Sequence, residues 1–168
     1  MRAFGFGFLS AVVCLPLVAV AILLFGWVDF RADQTVPAWQ QKLQETFIRA
    51  SVRRGARGVT APLPASNENL IAGGKLYLND CIGCHGKPGE ASTYGVTFTP
   101  KAPQFAEVET GLSEAQMYWV AKHGIRRTGM FSQGEYPDAS LWKLVQFIHR
   151  ARSLPPEVSS ELKWGAAK

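Results

Sequence analysis

Cys81-Ile82-Gly83-Cys84-His85 is the stretch that decides how this sequence folds and what it binds. It is a C-x-x-C-H pattern, which is typical of covalent haem attachment. Two thiols about one helical turn apart can reach the two vinyl groups on one edge of a porphyrin, and a histidine directly after the second thiol can bind the iron. The pattern therefore predicts one covalently bound haem c, attached at Cys81 and Cys84, with His85 as an axial ligand of the iron.

Other uses of the cysteine pair fit the sequence less well. A zinc site needs four ligands, but Cys14 lies in an apolar segment and His123 and His149 are singly placed. A thioredoxin-type redox pair is expected beside a βαβ pattern, and the sequence has no strand pattern. With three cysteines in all, a disulfide framework is not expected either.

The second axial ligand is expected in the polar loop 124–131. We predict Met130, because a thioether is a soft, neutral ligand that raises the reduction potential of haem iron relative to a second histidine. Met130 lies between Gly129 and Phe131, where no helical pattern explains its presence. His123 is the alternative ligand, although a histidine at a helix C-terminus often only caps it.

Two helices are predicted after the motif. Ser113 and Gln116 form a capping-box pattern, so a helix should run over 114–123 and end at Gly124. The last helix should begin with Asp138 as its N-cap and stop before a Pro-Pro pair.

A further helix, residues 69–79, should lead into the motif and contains Gly73 and Gly74. Glycine is a poor helix former, so this pair indicates that another helix approaches closely. The apolar stripe of the last helix is the expected partner. That stripe consists of Leu141, Leu144, Val145 and Ile148.

The N-terminal segment has no charge from Ala3 to Val28, and Ser10 is its one conventional polar residue. Roughly 20 apolar residues suffice to cross a bilayer, whereas a cleaved signal peptide has an apolar region of about 7–15 residues with a small-x-small site close behind. The passable site, Val36-Pro37-Ala38, lies far beyond this run. We therefore predict an uncleaved transmembrane anchor, and Arg2 favours a cytoplasmic N-terminus.

An amphipathic helix is predicted over 37–54, followed by a Pro- and Gly-containing linker. Its basic end could dock on a membrane partner or anionic lipid headgroups, or be solvated and complement the helix dipole. The predicted domains are thus an anchor (1–30), a neck helix with linker (31–66) and a main domain (67–168). The apolar positions are Trp39, Leu43, Phe47, Ile48 and Val52, and the arginines are Arg49, Arg53, Arg54 and Arg57.

The net charge of +5 is unevenly distributed. Residues 29–58 hold six Lys/Arg against three Asp/Glu, and residues 67–168 hold eleven against ten. Because the main domain is nearly neutral, it lacks the basic face that nucleic-acid binding requires.

Residues 69–153 resemble a class I cytochrome c domain, closest to the haem subunits of cbb3-type oxidases and related membrane-anchored mono-haem cytochromes of bacteria. The resemblance is carried by the G-x-L-Y approach to C-x-x-C-H-G and by the loop from Ile125 to Met130. It implies a small all-α fold, thioether links from Cys81 and Cys84, His85/Met130 ligation, and a proline carbonyl that accepts a hydrogen bond from His85. Pro100 and Pro103 are both candidates for that carbonyl.

These observations predict a single-electron carrier rather than an enzyme, because iron bound by both His and Met leaves no easy site for a substrate. The expected partners are redox proteins, and the expected location is the bacterial inner membrane with the haem domain facing the periplasm. Two alternatives stay open. One is a haem subunit of a larger membrane oxidoreductase, and the other is a haem sensor or enzyme that binds a small ligand.

Overall fold

The computed structural model describes residues 2–27, 31 and 34–165. Within these residues the regular secondary structure is helical and contains no β-strand, which confirms the predicted all-α class. The helices are α1 (Arg2–Leu24), α2 (Ala38–Gly55), α3 (Asn67–Asp80), α4 (Ile82–His85), a 3₁₀ helix (Gly95–Thr97), α5 (Glu114–His123), α6 (Asp138–Arg150) and α7 (Pro156–Glu161).

Two compact units make up the chain, residues 1–35 and residues 36–168. The second unit contains α2 together with all the helices that follow it. The predicted divisions after residues 30 and 66 stay predictions.

Helix α1 covers most of the predicted anchor. In the part of the chain that the structure describes, no helix combines the length and apolarity needed to cross a membrane. The predicted transmembrane helix is therefore not supported by the structure. Val28 and Asp29, where the uncharged run ends, lie outside the described residues.

The core of the second unit is the crossing of α3 and α6, as the two glycines indicated. A Cβ at Gly73 would overlap the backbone carbonyl of Lys143 on α6, and one at Gly74 would lie 2.9 Å from the ring of Phe147 on α6. The two helices can approach this closely only because both positions lack a side chain. Around the crossing lie the buried side chains Leu70, Tyr77, Leu141, Leu144, Val145 and Phe147.

The start of α6 differs from the prediction. Pro137 is the N-cap and no side chain caps the helix, so the prediction of Asp138 as the N-cap was wrong. Asp138 is instead the first residue of α6, and its carboxylate accepts a hydrogen bond of 2.7 Å from Lys122 Nζ at the end of α5. The carboxylate therefore joins two helices rather than satisfying the backbone of its own.

Helix α7 was not predicted, since the Pro155-Pro156 pair was interpreted as a stop signal. Pro155 is the N-cap of α7 and Pro156 occupies its first turn, where proline is favoured because no backbone donor is lost. The segment then buries Trp164, whose Nε1 donates to the carbonyl of Ala151 at 2.8 Å.

The linker is attached to α6. Gln146, which is 1% exposed, donates from Nε2 to the carbonyl of Leu63 at 2.7 Å. This bond links the segment after α2 to the last long helix of the domain.

Candidate haem site

The C-x-x-C-H motif lies at the junction of α3 and α4. Residues Ile82–His85 form a short helix, and Gly86 follows with φ +66°, a conformation that favours glycine. The buried hydroxyl of Tyr77 donates to the carbonyl of Gly86 at 2.7 Å. The end of the motif is thereby held against α3.

His85 is held in the tautomer that a metal ligand requires. Its Nδ1 lies 2.8 Å from the carbonyl oxygen of Pro103, and since a carbonyl can only accept, Nδ1 carries the proton. Nε2 is then left with a free lone pair, which is the form in which an imidazole can bind a metal ion. Burial lowers the pKa of the imidazole, although the Pro103 carbonyl opposes this, and the net direction favours the neutral ring. Of the two candidate prolines, Pro103 is the one that makes this bond.

The two cysteines of the motif are half-buried and unpaired. Burial is the main cause that raises the pKa of Cys81 to about 12, and the nearby Asp80 and Cys84 contribute to the same rise. A thiol forms a thioether when it adds to a vinyl group, which is the link that the C-x-x-C-H pattern predicts for both cysteines.

A hydrogen-bonded pair, Ser92 and Gln104, supports the motif from the following loop. Ser92 Oγ donates to the carbonyl of Gly83 at 2.5 Å, and Gln104 Nε2 donates to the carbonyl of Cys84 at 3.1 Å. Gln104 Oε1 in turn accepts from the backbone N–H of Ser92 at 2.7 Å. Sequence reasoning missed both residues, because a polar side chain in a loop without periodicity carries no signal of its partner.

The loop that carries Met130 is closed by its own hydrogen bonds. The N–H of Ile125 donates to the carbonyl of Met130 at 2.8 Å. The Thr128 hydroxyl donates to the carbonyl of Ile125 at 2.7 Å and accepts from the N–H of Met130 at 3.1 Å. Gly129 lies against the ring of Phe98, where a Cβ would not fit. Met130 is therefore fixed by a turn rather than carried on a mobile segment.

All four predicted site residues line the same cavity of about 350 Å³. The cavity brings together Cys81, Cys84 and His85 with Met130, from a loop more than forty residues later in the sequence. The surroundings are mostly apolar and include Phe98, Ala102, Pro103, Phe105, Met117, Val120, Ala121, Ile125, Leu144 and Ile148.

The alternative ligand is placed differently. His123 is exposed and does not line this cavity; its ring packs on Trp119 with centroids 5.1 Å apart. Met117, which was interpreted as a core residue, is half-buried and contributes to the cavity wall. The arrangement thus favours Met130 over His123.

These residues fit a covalently bound haem. They offer two thiols within one turn of chain, an imidazole with one ring nitrogen free, a thioether and an apolar enclosure. The assignment of Cys81, Cys84, His85 and Met130 as attachment points and ligands stays a prediction.

The all-helical fold of the described residues is consistent with that of a class I cytochrome c domain. Residues 68–148 match the family model described as cytochrome C oxidase, cbb3-type, subunit III, and this part of the chain belongs to that class. Covalently bound haem c and electron transfer are the properties that such a domain implies. No solved structure matches the chain.

Proposed function

We propose that this protein carries single electrons on one haem c, attached at Cys81 and Cys84 and bound through iron to His85 and Met130. The observation that carries the proposal is the convergence of these four side chains on one cavity. The Nδ1 bond of His85 to Pro103 supports it as well, because it leaves only Nε2 for a metal.

The protein's part in the reaction is to hold the iron and control its surroundings. When bound, haem supplies a metal that cycles between two oxidation states. The Pro103 carbonyl orients the imidazole of His85, and the Thr128 hydroxyl accepts from the N–H of Met130 and so fixes the backbone that carries the thioether. Ligands that are fixed in both oxidation states keep reorganisation small and leave no open position for a substrate, which suits a carrier rather than an enzyme.

The first test is chemical. The chain is expressed with a c-type maturation system, purified and extracted with acid acetone. The pigment should stay with the protein, at one haem per chain by the pyridine haemochrome assay. Cys81→Ala should lower the yield of holoprotein, because one of the two thioether links is lost. Pigment that is fully extracted from the unmodified chain would refute the proposal.

The second test identifies the sixth ligand. Met130→Ala should keep the covalent haem but convert the ferric iron to a high-spin form and abolish the weak sulfur-to-iron band at the red end of the visible spectrum. His123→Ala is the matched control and should leave the spectrum unchanged. If instead His123→Ala alone alters the spin state, the ligand assignment is wrong. Rapid binding of carbon monoxide by the unmodified chain would favour a sensor or an enzyme.

A second candidate function is that of a fixed subunit in a membrane oxidoreductase. It is favoured by the family model, whose description names an oxidase subunit. Extraction in a mild detergent distinguishes the two functions. A carrier should purify alone and retain rapid exchange of electrons with soluble partners, whereas a subunit should co-purify with further chains in fixed ratio.

We also propose that the protein is anchored in a bacterial inner membrane with its haem domain in the periplasm. This rests on the uncharged sequence from Ala3 to Val28 and on the C-x-x-C-H motif, and not on the described helices. An anchor would confine the domain near its redox partners and raise its effective concentration there. Alkaline carbonate washing of membranes should leave the pigment in the pellet, and protease added to spheroplasts should digest the haem domain.

A further inference from the structure

Helix α2 lies outside the segment that matches the cytochrome family, yet it forms part of the cavity wall. Residues Glu45, Ile48, Arg49 and Val52 occur at helical spacing on one face of α2, and all four line the cavity. Resting on the proposed function, we propose that α2 is a cover of the haem cavity, which excludes water from this side of the haem and so raises its reduction potential.

Helix α2 packs closely against α5. Val52 is 2% exposed, and a Cβ at Gly55 would overlap the indole of Trp119 on α5. Helix α5 also supplies Val120 and Ala121 to the same cavity. The contact of α2 with α5 therefore holds α2 beside the cavity, where the two helices together form part of its wall.

The apolar residues of α2 belong to two different faces. Ile48 and Val52 face the cavity, whereas Trp39, Leu43 and Phe47 are 69%, 46% and 64% exposed. Helix α2 thus carries apolar side chains both at the cavity and on its exposed face. A substitution on the exposed face is therefore a control, because it changes α2 without changing the cavity.

Removing water from the cavity should favour the reduced iron. The ferric site carries one more positive charge than the ferrous site, and a low-dielectric environment disfavours the form with the greater charge. Arg49 and Glu45 bring one charge of each sign to the wall, and Arg49 is exposed, so their effects on the potential oppose each other. The apolar side chain of Ile48 is therefore the part of α2 whose loss should be felt most.

The experiment compares Ile48→Asn with Leu43→Asn in the full-length holoprotein. At a fixed applied potential near the midpoint, Ile48→Asn should raise the ratio of ferric to ferrous protein on the order of tenfold, which for a one-electron couple is about 59 mV. Leu43→Asn should leave the ratio unchanged. The ferric Ile48→Asn protein should also increase the relaxation rate of solvent-water protons, because water then reaches closer to the paramagnetic iron.

Ile48→Ala and Leu43→Ala form a second, milder pair in case Asn disturbs folding, and far-UV circular dichroism verifies the helix content of each variant. Equal potentials for both members of a pair, with covalent haem and helix content intact, would overturn the role of α2 and leave the proposed function untouched. Failure of the unmodified chain to hold haem covalently would overturn the proposed function, and this proposal with it.

Discussion

Replacing Gly73 by alanine should destabilise the domain, although alanine is the better helix former. In an isolated helix the change would contribute about 1 kcal/mol of stability. In this structure the new Cβ would lie well inside 3.0 Å of the backbone carbonyl of Lys143, and a backbone atom in a packed helix cannot rotate away. The only relief is to separate α3 from α6 along their main contact.

Overpacking of a core typically costs about 1–3 kcal/mol and occasionally more. With a backbone clash, Gly73→Ala belongs at the upper end of this range, so the net loss after the gain in helix propensity should be about 2 kcal/mol. For a domain of this size that corresponds to a fall in melting temperature of roughly 8 °C.

The assay is thermal unfolding of the full-length holoprotein, followed by far-UV circular dichroism at pH 7. The control is Ala72→Gly at the exposed neighbouring position, which should cost about 1 kcal/mol through helix propensity alone. Opposite substitutions at adjacent residues should thus both destabilise. A melting temperature for Gly73→Ala equal to or above that of the unmodified chain would refute the close approach of α3 and α6.

Three other substitutions test individual hydrogen bonds. Tyr77→Phe leaves the buried carbonyl of Gly86 without its 2.7 Å partner and should cost about 1–3 kcal/mol, measured by urea unfolding. Ser113→Ala removes the capping box of α5 and should cost about 1 kcal/mol, while Ser113→Asp should restore most of the lost urea midpoint. The hydrogen bond from Lys122 lowers the pKa of Asp138 from 3.8, so its stabilising contribution is present above that pH and is lost as the pH falls through the lower folded-state pKa. Asp138→Asn should therefore lower the melting temperature at neutral pH and make no difference in strong acid; a gap that persists in acid would contradict this linkage.

Local signals predicted the helices well where sequence neighbours determine them. The capping box and Gly124 delimited α5 at Glu114–His123, and the apolar periodicity over 37–54 corresponds to α2 at Ala38–Gly55. Both depend on hydrogen bonds and propensities within a few residues, which a sequence displays directly. The glycine pair in α3 also indicated the close helix contact correctly, since glycine in a helix needs such a reason.

Signals that depend on distant partners were misread or missed. Aspartate is a common N-cap residue, but the carboxylate of Asp138 accepts a hydrogen bond from Lys122 instead of capping the helix. The pair Pro155-Pro156 can end one helix or begin the next, and it begins α7 because Val158 and Leu162 find buried positions in the core. The conformational preference of proline allows either a helix end or a helix start, and the packing of the following residues decides between them.

The sequence by itself determined the chemistry of this protein, because C-x-x-C-H places two thiols and an imidazole within one turn of chain and leaves little choice of cofactor. Tertiary structure decided what surrounds that chemistry. It selected Pro103 over Pro100 as the partner of His85, brought Met130 to the cavity while leaving His123 exposed, and placed α2 over the cavity. These features depend on how helices that are distant in sequence pack together. The packing energy arises from the contacts between the helices, so no single segment of the sequence displays it.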